Sequence, residues 1–278
     1  MSSEVPRIDC HVHLQDPALA WRIDEVLAET RAAGVGWLVC NGTRPADWAA
    51  VLSLARKHPE VIPCFGLHPW YLSDAKSDWM ERLDECLRAV PSGVGEIGLD
   101  RWIKRVDEDA QQYYFITQLD LARRLHRPVM LHCLQAWDWM LEILRGQTSL
   151  PPGILVHGFG GPENYVAPLV ELGAYFTFSG TVLDEQRRRA RMALAAVPAD
   201  RLLVETDAPD MLPPRGFRPR VLSDSEGKYR NHPANLPAIL RGVAELRGVG
   251  EDELAETVWE NARRFFGSLL DRPTEDDL

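Results

Sequence analysis

The chain has 278 residues, 45% of them hydrophobic and 26% charged, with a formal net charge of −10. A chain of this length and apolar content buries a full core without needing disulfides or a structural metal, which excludes disorder as its main state. The acidic balance weighs against a protein that coats duplex nucleic acid or an anionic membrane, because such binding needs excess Lys and Arg, but it leaves room for a locally positive pocket.

The opening residues, Met1 to Arg7, contain no apolar stretch of signal-peptide length, and no later run approaches a membrane span. The five cysteines, Cys10, Cys40, Cys64, Cys86 and Cys133, are odd in number and form no C-x-x-C pair, so they read as reduced thiols of a cytoplasmic protein.

In chain order, short runs rich in Val, Ile and Leu predict strands over Ile8–Leu14, Val35–Cys40, Val61–Leu67, Val94–Leu99, Pro128–Cys133, Ile154–Phe159, Tyr175–Ser179 and Leu202–Glu205. Amphipathic stretches separate them. Leu19–Ala33, stopped by Gly34, and Asp109–Leu125 both show the spacing of a helix with one buried face. Strand–helix alternation repeated about eight times predicts parallel strands with right-handed crossovers. The number of units, the length and the lack of G-x-G-x-x-G after the first strand favour a TIM-type (β/α) barrel over an open sheet. Residues 1–270 are therefore expected to form a single catalytic barrel, with 271–278 an acidic, frayed tail. Met211–Pro233, rich in Pro, Arg and Gly, reads as a long loop after the last strand, and long loops inside compact domains usually carry function.

Polar residues fall at the ends of these strands. The first strand carries Asp9-Cys10-His11-Val12-His13, in which residues two apart face the same way. Later strands carry Glu96, His132, His157 and Asp207 at or near their ends. In a barrel the C-terminal strand ends converge on one face, so His11, His13, Glu96, His132, His157 and Asp207 are expected to meet there. A lone imidazole at a strand end is ordinarily a hydrogen-bonded core residue. Six convergent ionisable groups are not, because burying them without a metal is expensive. Four imidazoles and two carboxylates exceed the needs of one tetrahedral ion and suit two divalent ions, with Glu96 as the bridging carboxylate. Nitrogen and oxygen donors without thiolate fit Zn, Mn, Fe or Mg.

Trp70 and Trp102 follow strand ends and are candidates to stack on a base. The late loop holds Arg215, Arg218, Arg220, Lys228 and Arg230, a basic run able to clamp phosphate, with Arg230 the foremost candidate.

The chain resembles the TatD family of metal-dependent hydrolases, within the amidohydrolase-like barrels. The resemblance runs through Asp9-x-His11-x-His13-Leu14, Gly66-Leu67-His68-Pro69, Gly95-Glu96-Ile97-Gly98-Leu99-Asp100 and Gln118-Leu119-x-Leu121-Ala122. It continues through Pro128-Val129-x-Leu131-His132, His157-Gly158-Phe159-x-Gly161 and Glu205-Thr206-Asp207-Ala208-Pro209, then a weaker Arg230-Asn231-x-Pro233. It implies that His11, His13, Glu96 and Asp207 hold one ion, and Glu96, His132 and His157 the other. It also places His68 beside the metals, to bind a phosphate oxygen or donate a proton, and takes Asn231 with Arg230 as a substrate contact. Some members of the family are metal-dependent 3′→5′ exodeoxyribonucleases on single strands. Two positions depart from the family's usual pattern: Leu134 stands where an arginine is common, and His232 where a glutamate is. Both are expected to lie where substrate sits.

The expected chemistry is hydrolysis of an ester bond, foremost a phosphodiester at a single-stranded DNA end, with Asp207 accepting or relaying a proton and no obligate protein partner. No G-x-S-x-G appears to support an acyl-enzyme route. The alternatives are a binuclear metal amidohydrolase or esterase acting on a small molecule, and a non-catalytic scaffold, which the intact ligand set disfavours.

Overall fold

In the computed structural model, which describes residues 5–105, 107–224 and 227–271, eight strands lie side by side in chain order. They are β1 (Arg7–Val12), β2 (Val35–Asn41), β3 (Val61–Phe65), β4 (Gly93–Asp100), β5 (Val129–Leu134), β6 (Ile154–Val156), β7 (Ala174–Phe178) and β8 (Leu202–Val204). Every neighbouring pair from β1 to β8 is parallel. The helices between and after them are α1 (Pro17–Ala20), α2 (Ile23–Ala32), α3 (Trp48–Lys57), α4 (Trp79–Ala89), α5 (Glu108–Arg124), α6 (Trp137–Gly146), α7 (Val166–Glu171), α8 (Arg188–Ala196), α9 (Leu236–Arg247) and α10 (Glu251–Phe266). This is the expected TIM-type barrel, with parallel strands buried by helices outside and by their own side chains within. Strands β2, β3 and β5–β8 are mostly apolar, whereas β1 and β4 interleave polar residues and glycine, and the buried hydrophobics of all eight form one continuous core with the inner helix faces.

The seam between β8 and β1 closes beyond the regular pairing. Asp207 N donates to His11 O at 2.9 Å, and His13 N donates to Ala208 O at 2.8 Å. Fully buried Asp9 crosses the same seam, accepting from Thr206 N at 2.8 Å and from the Thr206 hydroxyl. Burial pushes the Asp9 carboxyl up to about 8. From outside, Asn261 on α10 donates to Ala199 O at 2.7 Å and Leu202 O at 2.8 Å, fixing the start of β8.

Two expectations are corrected. The helix predicted over Leu19–Ala33 is broken: Asp16 caps α1 by accepting from Ala18 N at 2.8 Å, and Arg22, at φ −130°, separates it from α2. The loop Met211–Pro233 contains a short antiparallel hairpin, β9 (Leu222–Ser223) with β10 (Tyr229–Arg230). The acidic tail set apart from residue 271 lies, past Asp271, outside the described residues. No helix among the described residues is long and apolar enough to cross a membrane.

Helix α5 shapes the face where the strands end. Its buried Gln118 accepts from Leu67 N at 2.7 Å and donates to Leu67 O at 3.2 Å. One helical stretch earlier, Gln111 does the same for Asp100, at 2.7 and 2.8 Å. These amides satisfy backbone groups at the ends of β3 and β4, holding the two segments that deliver His68 and Asp100.

Candidate metal centre

All six expected ligands and His68 converge at the C-terminal ends of the strands. A cavity of about 410 Å³ opens there, lined in part by His13, His68, Glu96, His132, His157 and Asp207. His11 lies beneath it, fully buried. Glu96 sits in the middle of β4, every residue of which is buried. Asp207 follows β8 with φ +53°, a left-handed backbone that aspartate tolerates better than branched residues.

The geometry divides at Glu96. Its Oε2 lies 3.4 Å from His11 Nε2 and 3.5 Å from His13 Nε2. Those two nitrogens are 3.3 Å apart, and Asp207 Oδ1 is 3.9 and 3.4 Å from them. The other oxygen, Oε1, lies 2.8 Å from His157 Nε2, 3.0 Å from His132 Nδ1 and 3.2 Å from His68 Nε2. Ligand atoms around a tetrahedral ion with bonds of about 2.1 Å sit roughly 3.4 Å apart, so the first group has the spacing of a coordination shell. Donor atoms of His11, His13 and Asp207, and of His11, Glu96 and His157, each lie close enough together to hold an ion.

The outer nitrogens of these histidines differ, and that of His11 has no hydrogen-bond partner among the described residues. A metal-binding imidazole normally donates its remote N–H to an acceptor, which leaves its lone pair facing the ion. His13 does so through Nδ1 to Asn41 O at 2.8 Å, and His132 through Nε2 to Asp100 Oδ2 at 2.9 Å. His157 Nδ1 faces Glu205 Oε1 at 3.6 Å. His68 is the reverse: its Nδ1 accepts from Trp70 N at 3.1 Å. The neutral ring therefore carries its proton on Nε2 and turns a donor, not a lone pair, toward Glu96.

Without ions, protons balance this cluster. Burial opposes a charge on His13, but Asp207 and Glu96 outweigh it and carry the group up to about 9. Glu96 and Glu205 likewise outweigh burial at His157 and raise it, while Asp100 and Glu96 raise His132. Burial, aided by neighbouring His157, drives His11 down to about 3. Burial holds His68 at about 4 despite Glu96. The imidazoles around Glu96 overcome its burial and keep the carboxyl well below its usual range.

The rim is less close to expectation. Trp70 and Trp102 line the cavity and are 52% and 68% exposed. Asp100 fixes both: Trp70 Nε1 donates to its Oδ2 and Trp102 N to its Oδ1, each at 2.6 Å. Leu134 lines the cavity as expected. His232 does not; it is buried, with Nε2 3.4 Å from Glu29 Oε2. Arg230 and Asn231 are also absent from the cavity wall. Arg230 bonds Asp224 at 2.9 Å and Asp210 at 3.1 Å, while fully buried Asn231 donates to Thr206 O at 2.8 Å and accepts from His232 N at 2.9 Å.

Two residues without a role in the sequence reading take their place. Asp100 ends the Gly95–Asp100 motif, and that position, last in a barrel strand, was its signal. Arg44 carried no signal, being an ordinary arginine before a helix. It is the one Lys or Arg among the residues lining the cavity, its guanidinium 4.5 Å from the Tyr71 ring and 3.7 Å from Asp74.

Residues 8–267 match the family described as TatD related DNase. A protein from Citrobacter rodentium named 3′-5′ ssDNA/RNA exonuclease TatD is 35% identical over 265 residues, 94% of this chain and 98% of its own. One of the same name from Erwinia tasmaniensis is 36% identical over 263 residues, 93% of this chain and 98% of its own. Among solved structures, a TatD homologue from Escherichia coli K12 has a TM-score of 0.86 at 29% identity, covering 95% of this chain and 98% of that one. A TatD family hydrolase from Entamoeba histolytica, 19% identical with a TM-score of 0.80 over 95% and 99% of the two chains, shares the fold. A match that begins in β1 and runs past the end of α10, on a barrel whose strand ends gather this donor set, makes the chain a member of the TatD-related DNase family of hydrolases.

Proposed function

We propose that this chain is a divalent-metal-dependent phosphodiesterase that removes nucleotides from the 3′ end of single-stranded DNA or RNA, with residues 1–270 acting as one catalytic barrel. The observation that carries the reading is the division of Glu96, one oxygen facing His11 and His13, the other facing His132 and His157. The donor set fits a pair of ions, Zn, Mn or Mg: His11, His13, Glu96 and Asp207 would hold one, and Glu96, His132 and His157 the other. When bound, such ions neutralise phosphate charge and make a water acidic enough to attack near neutral pH.

The chain's own groups do the rest. Asp207 accepts the proton of the attacking water. His68, neutral and protonated on Nε2, donates a hydrogen bond to a phosphate oxygen. Arg44 supplies the fixed positive charge for a phosphate, in the place of the arginine that Leu134 displaces. Trp70 and Trp102 offer exposed faces to the terminal bases. Asp16, Asp47 and Asp210 also line the cavity, so a strand end enters more readily than a polyanionic duplex. The relatives named as single-stranded DNA and RNA exonucleases support the same substrate class and polarity. All five cysteines are free thiols, which supports work in the reducing cytoplasm.

Apolar Leu134 in the cavity favours a second reading, hydrolysis of a small ester or amide. A 5′-labelled single-stranded oligonucleotide incubated with Mn or Mg, beside Asp207→Asn, separates the two. A ladder shortening from the 3′ end and absent in the variant is the expected result. Intact substrate with folded, metal-loaded protein overturns the nuclease reading and leaves the small-substrate one.

A further inference from the structure

Beyond the metal cavity, the same face of the barrel carries a second cavity of about 570 Å³, walled by Thr181, Asp184, Gln186, Arg187, Pro213 and Pro214 among others. The two are neighbours. Thr181 lines the second, Met211 lines the first, and the Thr181 hydroxyl touches Met211 Sδ at 3.8 Å. At the edge of the second cavity the chain runs Arg187-Arg188-Arg189-Ala190-Arg191, the start of α8. Arg187, Arg188 and Arg189 are exposed. None of the four arginines has a side-chain hydrogen bond or ion pair among the described residues. Arg215, following Pro214 of the cavity wall, is likewise exposed and unpaired among them.

This is an unusual place for such charge. The protein is acidic as a whole, and most other basic side chains near the barrel mouth are engaged: Arg230 by Asp210 and Asp224, Arg220 by Glu29, Arg44 by Asp74. The first turn of α8 contains no acidic residue, so its arginines stand at the positive end of the helix dipole, where cations weaken the helix. Helix stability therefore does not account for them. An unpaired cationic rim beside a cavity that adjoins the catalytic one has the chemistry of a track for a flexible polyanion.

We infer that the cavity between Thr181 and Pro214, with Arg187, Arg188, Arg189 and Arg215, binds the body of a single-stranded nucleic acid whose 3′ end occupies the metal cavity. The inference rests on the nuclease reading above and specifies the path of the strand: past the Thr181–Met211 wall and over the start of α8. The arginines face the strand's phosphates. Contacts of this kind are electrostatic and independent of sequence, and each phosphate neutralised adds roughly 0.7 to the slope of log affinity against log salt for a single strand.

The test compares wild type with the triple variant Arg187→Gln, Arg188→Gln, Arg189→Gln, whose exposed, unpaired side chains leave the core untouched. Two measurements are made: anisotropy of a labelled 15-nucleotide oligothymidylate at several salt concentrations, and the ratio of kcat/KM for that strand to kcat/KM for a dinucleotide. The expected result is a binding loss of about tenfold or more, a salt slope lower by roughly two, and a fall of similar size in the ratio. Unchanged binding and an unchanged ratio overturn the track. Strand binding that depends on the arginines, without cleavage of either substrate, keeps the track and rejects the nuclease reading. Cleavage of both substrates with equal efficiency by wild type rejects the track and keeps the nuclease.

Discussion

Trp70 and His132 share one oxygen. Asp100 Oδ2 accepts the indole N–H of Trp70 at 2.6 Å and meets His132 Nε2 at 2.9 Å. The same carboxylate thus positions an aromatic face at the cavity mouth and sets the tautomer of an imidazole at its floor. The exposed indole and the imidazole are mechanically joined.

Removing that carboxylate loosens both. In Asp100→Ala the His132 ring loses its outer acceptor and the Trp70 indole its anchor. Metal affinity is expected to fall about 10–100-fold and KM to rise. Metal content after dialysis, together with steady-state kinetics, checks the coupling; Trp70→Phe, which spares the carboxylate, should raise KM and leave metal affinity unchanged.

Ion loading should release protons. Asp207 and Glu96 push the His13 imidazole up to about 9 when no ion is bound, and neighbouring carboxylates raise His157 and His132 as well. A protonated imidazole has no lone pair to give, so loading displaces these protons, and affinity weakens as pH falls below the raised values. Calorimetric titration of stripped protein near pH 8, in buffers of different ionisation enthalpy, should show net proton release on adding Zn or Mn. No dependence on buffer would contradict this charge balance.

Arg44 should carry much of the affinity for phosphate. Charge-assisted hydrogen bonds contribute about 1.5–3 kcal/mol, so Arg44→Gln is expected to raise KM for an oligonucleotide at least about tenfold. Leu134 lines the same cavity, and Leu134→Arg placed on Arg44→Gln should restore part of the loss. Additive effects in the double variant would mean that the two positions do not serve the same phosphate.

Gly98 sets the closeness of β4 and β5 beside the site. A Cβ at Gly98, where φ is +151°, would lie 1.9 Å from His132 O. Gly98→Ala should therefore force the strands apart and destabilise the fold by about 3 kcal/mol or more. Gly173, at φ +81° with nothing within 4 Å of its Cβ, gives the control. Gly173→Ala adds only local backbone strain, on the order of 1 kcal/mol. Equilibrium urea unfolding of both variants measures the contrast.

Much of this architecture was legible because its causes are local. Strands covered on both faces are mostly apolar, so β2, β5 and β7 stand out as runs rich in Val, Leu and Phe. The convergence of the six candidate groups was legible because a barrel has one face where strand ends meet, which turns positions such as 11, 96 and 207 into neighbours. What escaped depends on how loops turn. The apolar spacing of residues 19–33 continues through the break at Arg22, since packing and not spacing ends α1. Arg230 and Asn231 follow the loop that leaves β8, yet the β9–β10 hairpin turns Arg230 to Asp224, and Asn231 spends its amide on Thr206 and Met211 carbonyls. Arg44 and Asp100 acquire meaning only when four strand ends are brought together.

The seam at Asp9 and Thr206 has a consequence for the order in which the protein becomes competent. The groups that gather at one end of the barrel come from positions 11 and 207, and the backbone bonds joining them are those that close the ring. A nascent chain has released most of its strands before it holds both halves of the site. Capture of an ion by the group around His11 would therefore report that the last strand has found the first, and its binding energy would favour the closed ring over every open one.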